Sequence, residues 1–417
     1  MKKIVAEILL LSAVLMSCSG GGKADTSPLM KTVPSRAVAV MHFGDCNRAL
    51  NLLLDSAHVF RSIDYGRLSS SEVILSYDYA AALVPLLCID AGRATPDTSA
   101  AVLKILEQAE KKHLCCEYTA DLMAKRAVLL LSPSRALISE AMSHINSGSS
   151  ILDVQGFPAA EALSDGSCGS IFLKNESASR LLPPKMLKDY FARKDLVRFF
   201  SGAAEWTVLD FSAYSRKGIE VRCWGDGRQK YLCEMFSSLN ACRCEAAGVI
   251  PSGADFVLGL PMRDPAAYLS SWQSCLDMRA SLSKYKGKLA AMKKTAGKKP
   301  ETWFMEQYPR EIVLVRWDGR EVLLLRPAKR PAASAPAGNP YQGFVPALIG
   351  EAFRIQDDSF VASDGGWLAY GSEENIAAWL EAEKGPFRGL PGKAKYYFVN
   401  KEFGIAAGPE NTVLDVN

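Results

Sequence analysis

Histidine is scarce in this chain: four in 417 residues, at positions 42, 58, 113 and 144. Zinc chemistry draws on closely spaced imidazoles and thiolates, so that scarcity leaves little for it. Spaced thiol pairs are lacking as well. There are eleven cysteines, none beyond Cys275, and no two stand as CxxC. Cys115-Cys116 and Cys242-Arg243-Cys244 come nearest, and no metal ligand is assigned. No HExxH helix and no G-x-S-x-G elbow occurs. Gly20-Gly21-Gly22-Lys23 has neither the spacing nor the preceding strand of a phosphate loop. Charge of one sign is lacking too. The net charge is +4, or +3 once Lys2, Lys3 and Glu7 leave with a leader. That balance argues against nucleic acid as a partner.

What is present begins at the N-terminus. Lys2 and Lys3 precede an apolar stretch, Ile8 to Met16, interrupted only by Ser12. Leu15-Met16-Ser17-Cys18 and the small residues Ser19 to Gly22 follow. A basic start, an apolar stretch and small residues at a cut site mark a secretory leader. The stretch falls short of the roughly 20 residues that span a membrane. Ten cysteines remain after Cys18, an even number that permits disulfides in an exported chain without fixing their pairing. The chain is long enough for two domains, each with its own core.

An internal repeat organises the rest. Val33-Pro34-Ser35-Arg36-Ala37-Val38 recurs 217 residues later as Ile250-Pro251-Ser252-Gly253-Ala254-Asp255. The apolar strand Ala127–Leu131, then Ser132-Pro133-Ser134 and a helix to about Asn146, matches Trp367–Tyr370, Gly371-Ser372-Glu373-Glu374 and a helix to about Glu383. In both, a serine caps a helix whose first turn holds proline or acids. Ile171–Asn175 matches Tyr396–Asn400. Repeats of this length indicate domain duplication and not a solenoid, whose units run ~20–50 residues.

Strands are expected over 37–43, 82–89, 127–131, 169–173, 205–214 and 218–224 in the first copy. The second copy offers 256–260, 311–317 and 320–325. Asp318-Gly319 is the strongest hairpin signal, and Ser215–Gly218 is another. Helices are expected over 47–54, 98–113, 133–146, 184–200 and 265–282, the last with Asp264 as N-cap and Pro265 in the first turn. Pro327–Pro340 reads as a mobile loop. Tight turns between strands, mixed with helices, predict an α+β fold. It comprises two tandem related domains, each a largely antiparallel sheet with helices packed on it. The division is a leader 1–17, a tether 18–31, a first repeat domain 32–247 and a shorter second one 248–417. The second lacks the helix and hairpin that close the first.

The Leu-x-Ser-Cys ending resembles the lipobox of bacterial lipoproteins. That resemblance implies diacylglycerol on the Cys18 sulfur, cleavage before Cys18 and acylation of the new N-terminus. With the Val/Ile-Pro-Ser openings and the strand-Ser-helix blocks, the chain resembles tandem-repeat lipoproteins of Bacteroidales and related Gram-negative bacteria. The resemblance implies a membrane partner through the lipid and no particular activity. Surface-exposed lipoproteins of that phylum often carry acids just after the lipid cysteine. Ser19–Lys23 has none, which implies an anchor facing the periplasm.

Two stretches invite a chemical reading. Ser281-Leu282-Ser283-Lys284 and Ser283-Lys284-Tyr285-Lys286 have SxxK spacing, but Lys294-Thr295-Ala296 lies too close to serve as the partner strand. They read as a solvated helix end. His42 and Cys46 read as a strand residue and a packed thiol, and Asp357-Asp358 as a turn or loop. From Met278 to Pro300 stand Arg279 and Lys284, Lys286, Lys288, Lys293, Lys294, Lys298 and Lys299, with no acid. Such a run suits an anionic surface, such as lipid headgroups, or simply solvent. Trp303-Phe304-Met305 reads as core. No cofactor is implied. The expected function is a non-catalytic binding or scaffold module with a protein, glycan or lipid ligand. An enzyme with a dispersed site and an envelope assembly factor remain open.

Overall fold

A computed structural model describes residues 26–407, except 52–54, 80–81, 94, 124–125, 148, 165–168, 178–201, 212–218, 229, 386, 388–389 and 401–404. The leader, Cys18, the 184–200 helix and the Ser215–Gly218 turn lie outside the described residues. The fold is α+β, and the chain divides into two compact units. One is built mainly from 19–192 and 205–224, the other mainly from 193–204 and 225–417.

The first unit carries β1 (Ala39–Phe43), β2 (Val73–Tyr79), β3 (Leu83–Gly92), β4 (Cys115–Met123), β5 (Arg126–Ser132), β6 (Ser170–Lys174), β7 (Trp206–Phe211) and β8 (Ile219–Trp224). They form one antiparallel sheet in the order β4-β5-β3-β2-β1-β6-β7-β8. Its helices include α1 (Cys46–Asn51), α2 (Pro96–Lys111), α3 (Arg135–Ser147) and α4 (Phe157–Glu161). Val73, Ile74 and Leu75 of β2 are all buried, as are Leu86 to Ile89 of β3. Successive strand residues point to opposite faces, so both faces are covered. That explains runs of apolar residues in place of strict alternation. One face packs Val40, Ile74, Cys88, Val128 and Phe172 with Leu137, Ile138 and Phe157 from the helices.

The second unit carries α5 (Leu232–Ser237), β9 (Cys242–Arg243), β10 (Phe256–Pro261), α6 (Pro265–Met278), α7 (Leu282–Ala296), α8 (Pro300–Gln307), β11 (Glu311–Trp317) and β12 (Arg320–Arg326). Then follow β13 (Ser334–Gly338), α9 (Phe344–Ile349), β14 (Phe360–Asp364), β15 (Trp367–Gly371), α10 (Glu373–Glu381), β16 (Lys393–Ala394), β17 (Tyr397–Asn400) and β18 (Ile405–Ala407). The main sheet runs β13-β14-β15-β12-β11-β10-β17-β18, and β9 pairs with β16 apart from it. Val313, Val315, Trp317, Val322 and Leu324 join Trp367 and Trp379 in one core. Ile312, Leu314, Leu323 and Leu325 point the other way and are buried too.

Set side by side, β4-β5-β3-β2-β1-β6-β7 and β14-β15-β12-β11-β10-β17-β18 follow one order. Only the edges differ: β8 extends the first sheet and β13 the second. The correspondence reaches single hydrogen bonds. The Ala37 amide donates to the Pro34 carbonyl and the Ala254 amide to the Pro251 carbonyl, at 3.0 and 2.9 Å. The next amides, of Val38 and Asp255, donate to Tyr77 and Arg316 on the second strand of each sheet. Ser134 Oγ accepts from the Leu137 amide and Ser372 Oγ from the Asn375 amide, capping α3 and α10 alike. The third block is in a different register from its sequence match. Ser170 pairs with His42, and Tyr397 with Gly259, the residue 217 positions after His42. The strands are therefore offset by two residues from the sequence match, which keeps each side chain on its face.

Several expectations need correction. Pro327–Pro340 contains the edge strand β13, whose register breaks between Ser334 and Ala337, around Pro336. Proline is tolerated at such an edge irregularity. The helix expected over 265–282 stops at Met278. Ala280 takes φ 52°, and its amide and that of Ser281 close the end on Asp277 and Leu276. The lysine-rich stretch is thus a separate helix, α7, anchored by buried Tyr285 and Leu289. The β17–β18 hairpin matches β6–β7, and among the described residues β8 has no counterpart in the second sheet. Trp303 and Phe304 are buried, as expected of core. Asp318 and Gly319 take φ 47° and 71°, the positive values of a two-residue hairpin turn.

Gly259 is one position where a side chain has no room. A Cβ there would lie 2.0 Å from Cζ of Tyr397, whose ring crosses the neighbouring strand. We predict that Gly259→Ala destabilises the protein by about 1–3 kcal/mol, because the fully buried ring has nowhere to move. Urea denaturation of wild type and variant checks this. An unchanged midpoint would show that Tyr397 is not confined.

Candidate functional site

The second unit contains a pocket of about 380 Å³, within the range of small-ligand sites. Its wall comes from the end of α5, the end of β10, the start of α6 and Tyr308 just after α8. The chemistry-bearing lining residues are Asn240, Arg263, Asp264, Tyr268, Tyr308 and Lys395. Arg263 leaves β10 where the chain turns into α6. Asp264 is the N-cap there, its Oδ1 accepting from the Ala266 and Ala267 amides at 2.9 and 3.2 Å. Pro265 then begins the helix. Lys395 Nζ donates to the Ser237 carbonyl at 3.0 Å, which holds the ammonium at the rim. Tyr268 is buried and donates to the Ile349 carbonyl. Tyr308 is 39% exposed and sits at φ 44°, ψ 64° as the residue ending α8. That left-handed position favours glycine, so an aromatic there stores strain.

Behind this wall lies a buried carboxyl. Glu311 opens β11, pairs with Pro261 and is 1% exposed. Its Oε1 accepts from the Tyr397 hydroxyl at 2.7 Å, and its Oε2 from the Glu245 amide at 2.7 Å. Glu245 in turn pairs with Arg326 at 2.7 Å. Burial pushes the Glu311 carboxyl up to about 7, against the two hydrogen bonds that favour the anion. The same burial pushes the Cys244 thiol up to about 12, with Glu311 adding to the rise.

The first sheet has a glutamate at the same place. Pairing Tyr77 with Arg316 puts Glu72, just before β2, opposite Glu311 in the comparison. Glu72 Oε1 lies 2.9 Å from His42 Nε2 and also accepts from the Ser27 hydroxyl. The imidazole holds this carboxyl below its usual value, although burial opposes it. Ser27, Glu72 and His42 are not a nucleophile relay, because the serine bonds the carboxylate and not the imidazole. Nearby, Glu161 is raised by burial and accepts from Thr26 at 3.0 Å. Elsewhere in this unit Ser164 and Ser170 donate to buried Asp210 at 2.7 and 2.5 Å.

The residues singled out in the sequence lie apart from the pocket. Lys284, Lys286, Lys288, Lys293 and Lys294 are exposed along α7, and Lys298 and Lys299 follow it. Lys288 pairs with Glu351 at 2.6 Å, and Lys298 pairs with Glu306. Among the described residues the other five have no acidic partner. Ser281 Oγ donates to the Arg279 carbonyl at 3.2 Å and faces no catalytic partner. Cys46 is buried, its thiol pushed up to about 12 by desolvation. Asp357 accepts from the Ser359 amide two residues on, and Asp358 in a loop accepts from the distant Gly343 amide. Nine described cysteines form no disulfide. Among the described residues no three His, Cys, Asp or Glu side chains converge as a metal site. Reading motifs missed the pocket, because its residues come from four separate stretches of the chain. Arg263-Asp264-Pro265 was visible only as a helix start.

The Glu311 environment has a sign that can be measured. A carboxyl raised in the folded state supports folding fully below its unfolded value, and that support is lost as pH rises through about 7. A shift from 4.5 to about 7 corresponds to on the order of 3 kcal/mol. Glu311→Gln should therefore match wild type near pH 5 and exceed it in stability at pH 8, read from denaturant midpoints. A wild-type advantage at pH 8 would refute the buried neutral carboxyl. No protein family, no curated protein and no solved structure matches this chain.

Proposed function

We propose that this chain is a lipid-anchored envelope protein, acylated at Cys18 and facing the periplasm, that acts as a non-catalytic binding module. The pocket of about 380 Å³ in the second unit carries the binding reading. It gathers two cations, an aromatic ring and hydrogen-bonding groups without a nucleophile beside a base. The lipobox-like Leu15-Met16-Ser17-Cys18 supports the anchor. The shared strand order and the matching turns support two tandem copies of one domain.

An enzyme with a dispersed site is favoured by a strongly raised acid open to substrate, and Glu311, the acid raised to about 7, is 1% exposed. An assembly factor would need a broad apolar surface. Among the described residues the exposed large hydrophobics are Tyr79, Leu103, Met278 and Tyr308, on separate elements. A lipid anchor becomes firm when a second signal joins it. The exposed lysines of α7 supply one toward anionic headgroups, each contributing about 1 kcal/mol close to the surface.

Cys18→Ser should move the protein from the membrane to the soluble fraction of cells. Unchanged fractionation, or an unmodified Cys18 in the native protein by mass spectrometry, would overturn the anchor. In the Cys18→Ser background, co-sedimentation with phosphatidylglycerol vesicles should fall when Lys284, Lys286, Lys293, Lys294 and Lys299 are all changed to Gln. Equal co-sedimentation would show that α7 does not face lipid.

A further inference from the structure

The lining of the pocket narrows its ligand, given the binding-module reading on which this step rests. Its charged residues are Arg263, Lys395 and Asp264. One oxygen of Asp264 is held by the α6 amides, and the carboxylate offsets the positive end of that helix. The two cations are left in excess. Arg263 is exposed and, among the described residues, has no acidic partner. A guanidinium offers a planar fork that matches a carboxylate. Lys395 uses one N–H on the Ser237 carbonyl and keeps two donors. The site therefore suits a negatively charged group.

The remaining lining speaks to the body of the ligand. Tyr308, partly exposed, lines the same pocket as Met262 and Pro261. It does so from a left-handed backbone position that a glycine would occupy without strain. An exposed ring held there offers a flat apolar face with a polar tip. Asn240 and Oδ2 of Asp264 line the same pocket, with Ser238, whose hydroxyl donates to the Met235 carbonyl and can still accept. An exposed ring, hydrogen-bonding groups and two cations in one pocket lining fit a pyranose ring bearing a carboxylate.

We infer that the pocket binds a sugar acid, with the carboxylate at Arg263 and Lys395 and the ring face against Tyr308. Inorganic phosphate or acetate would share only the anionic contact, and a neutral sugar only the ring contact. Calorimetric titration of the full chain in detergent, with glucuronate, glucose, acetate and phosphate, separates them. Glucuronate should bind saturably and at least about tenfold more tightly than glucose, the difference that one charge-assisted contact supplies. Added salt should weaken it.

Arg263→Gln should abolish the preference for glucuronate over glucose. Tyr308→Gly keeps the backbone position and removes the ring, so it should weaken both sugars while leaving the melting temperature unchanged or higher. Glucose binding as tightly as glucuronate would overturn the sugar-acid assignment and leave the binding module standing. Acetate or phosphate binding as tightly as glucuronate would reduce the site to an anion hole and overturn the assignment too. No binding of any of the four would overturn both the assignment and the pocket as the module's site.

Discussion

The constraint that organises each unit is a central strand pair covered on both faces. Once β1–β2 and β10–β11 are covered on either side, the polar groups at their ends lie wholly or partly out of water. Every polar group there must find a partner inside the protein, because an unpaired buried group is costly. The Pro-Ser openings meet that demand first. In each unit a tight turn on the proline carbonyl feeds the chain into the first strand, and the next amide is taken by the second strand. The glutamates that begin the second strands meet it again, in two different ways.

Glu72 has His42 across the sheet and a serine hydroxyl beside it, so its carboxylate is held in the charged form. At the corresponding place, Gly259 replaces the histidine and Tyr397 replaces Ser170. The ring fills the space left by the glycine and reaches Glu311 with its hydroxyl. Desolvation then outweighs two hydrogen bonds, and the carboxyl moves toward neutrality. One topological position thus carries an ionised acid in one sheet and, near pH 7, a half-protonated one in the other. The difference follows from exchanging a small residue and a larger one across a strand pair. The two acids respond oppositely to pH, since a lowered carboxyl supports folding at high pH and a raised one at low pH.

Much of the architecture was legible in the sequence because it rests on local chemistry. Asp264-Pro265 is a helix start by any reading, Asp318-Gly319 is a hairpin turn, and the Ser134 and Ser372 caps follow from their neighbours. The runs Glu311–Trp317 and Arg320–Leu325 are apolar enough to stand out. Strands such as β2 and β4 were missed. Val73–Tyr79 mixes serine and aspartate into a buried run, and Cys115–Met123 alternates too weakly to separate it from a loop. The two-residue offset of β6 against β17 was hidden for a different reason. A shift of two keeps the inward face apolar, so a sequence comparison cannot feel it. The pairing of Glu72 with Glu311 was hidden as well, because it depends on register and on nothing in the flanking residues.

The pocket was not legible, because its residues come from distant stretches of the chain with no motif spacing. Arg263 and Asp264 stand where β10 gives way to α6, and Tyr308 stands where α8 gives way to β11. Lys395 follows the short strand β16. These are the ends of elements, where the rigid sheet stops and side chains are free to vary without disturbing the core. The same junction shows why strain is tolerated there. Tyr308 closes α8 through its amide to the Phe304 carbonyl at 2.9 Å, and the next strand is fixed by Met262 bonding to Arg310 at 2.7 Å. With the backbone held on both sides, a left-handed tyrosine persists at a place where glycine would relax it. The sheet thus supplies the rigidity, and the ring at its margin supplies the contact surface.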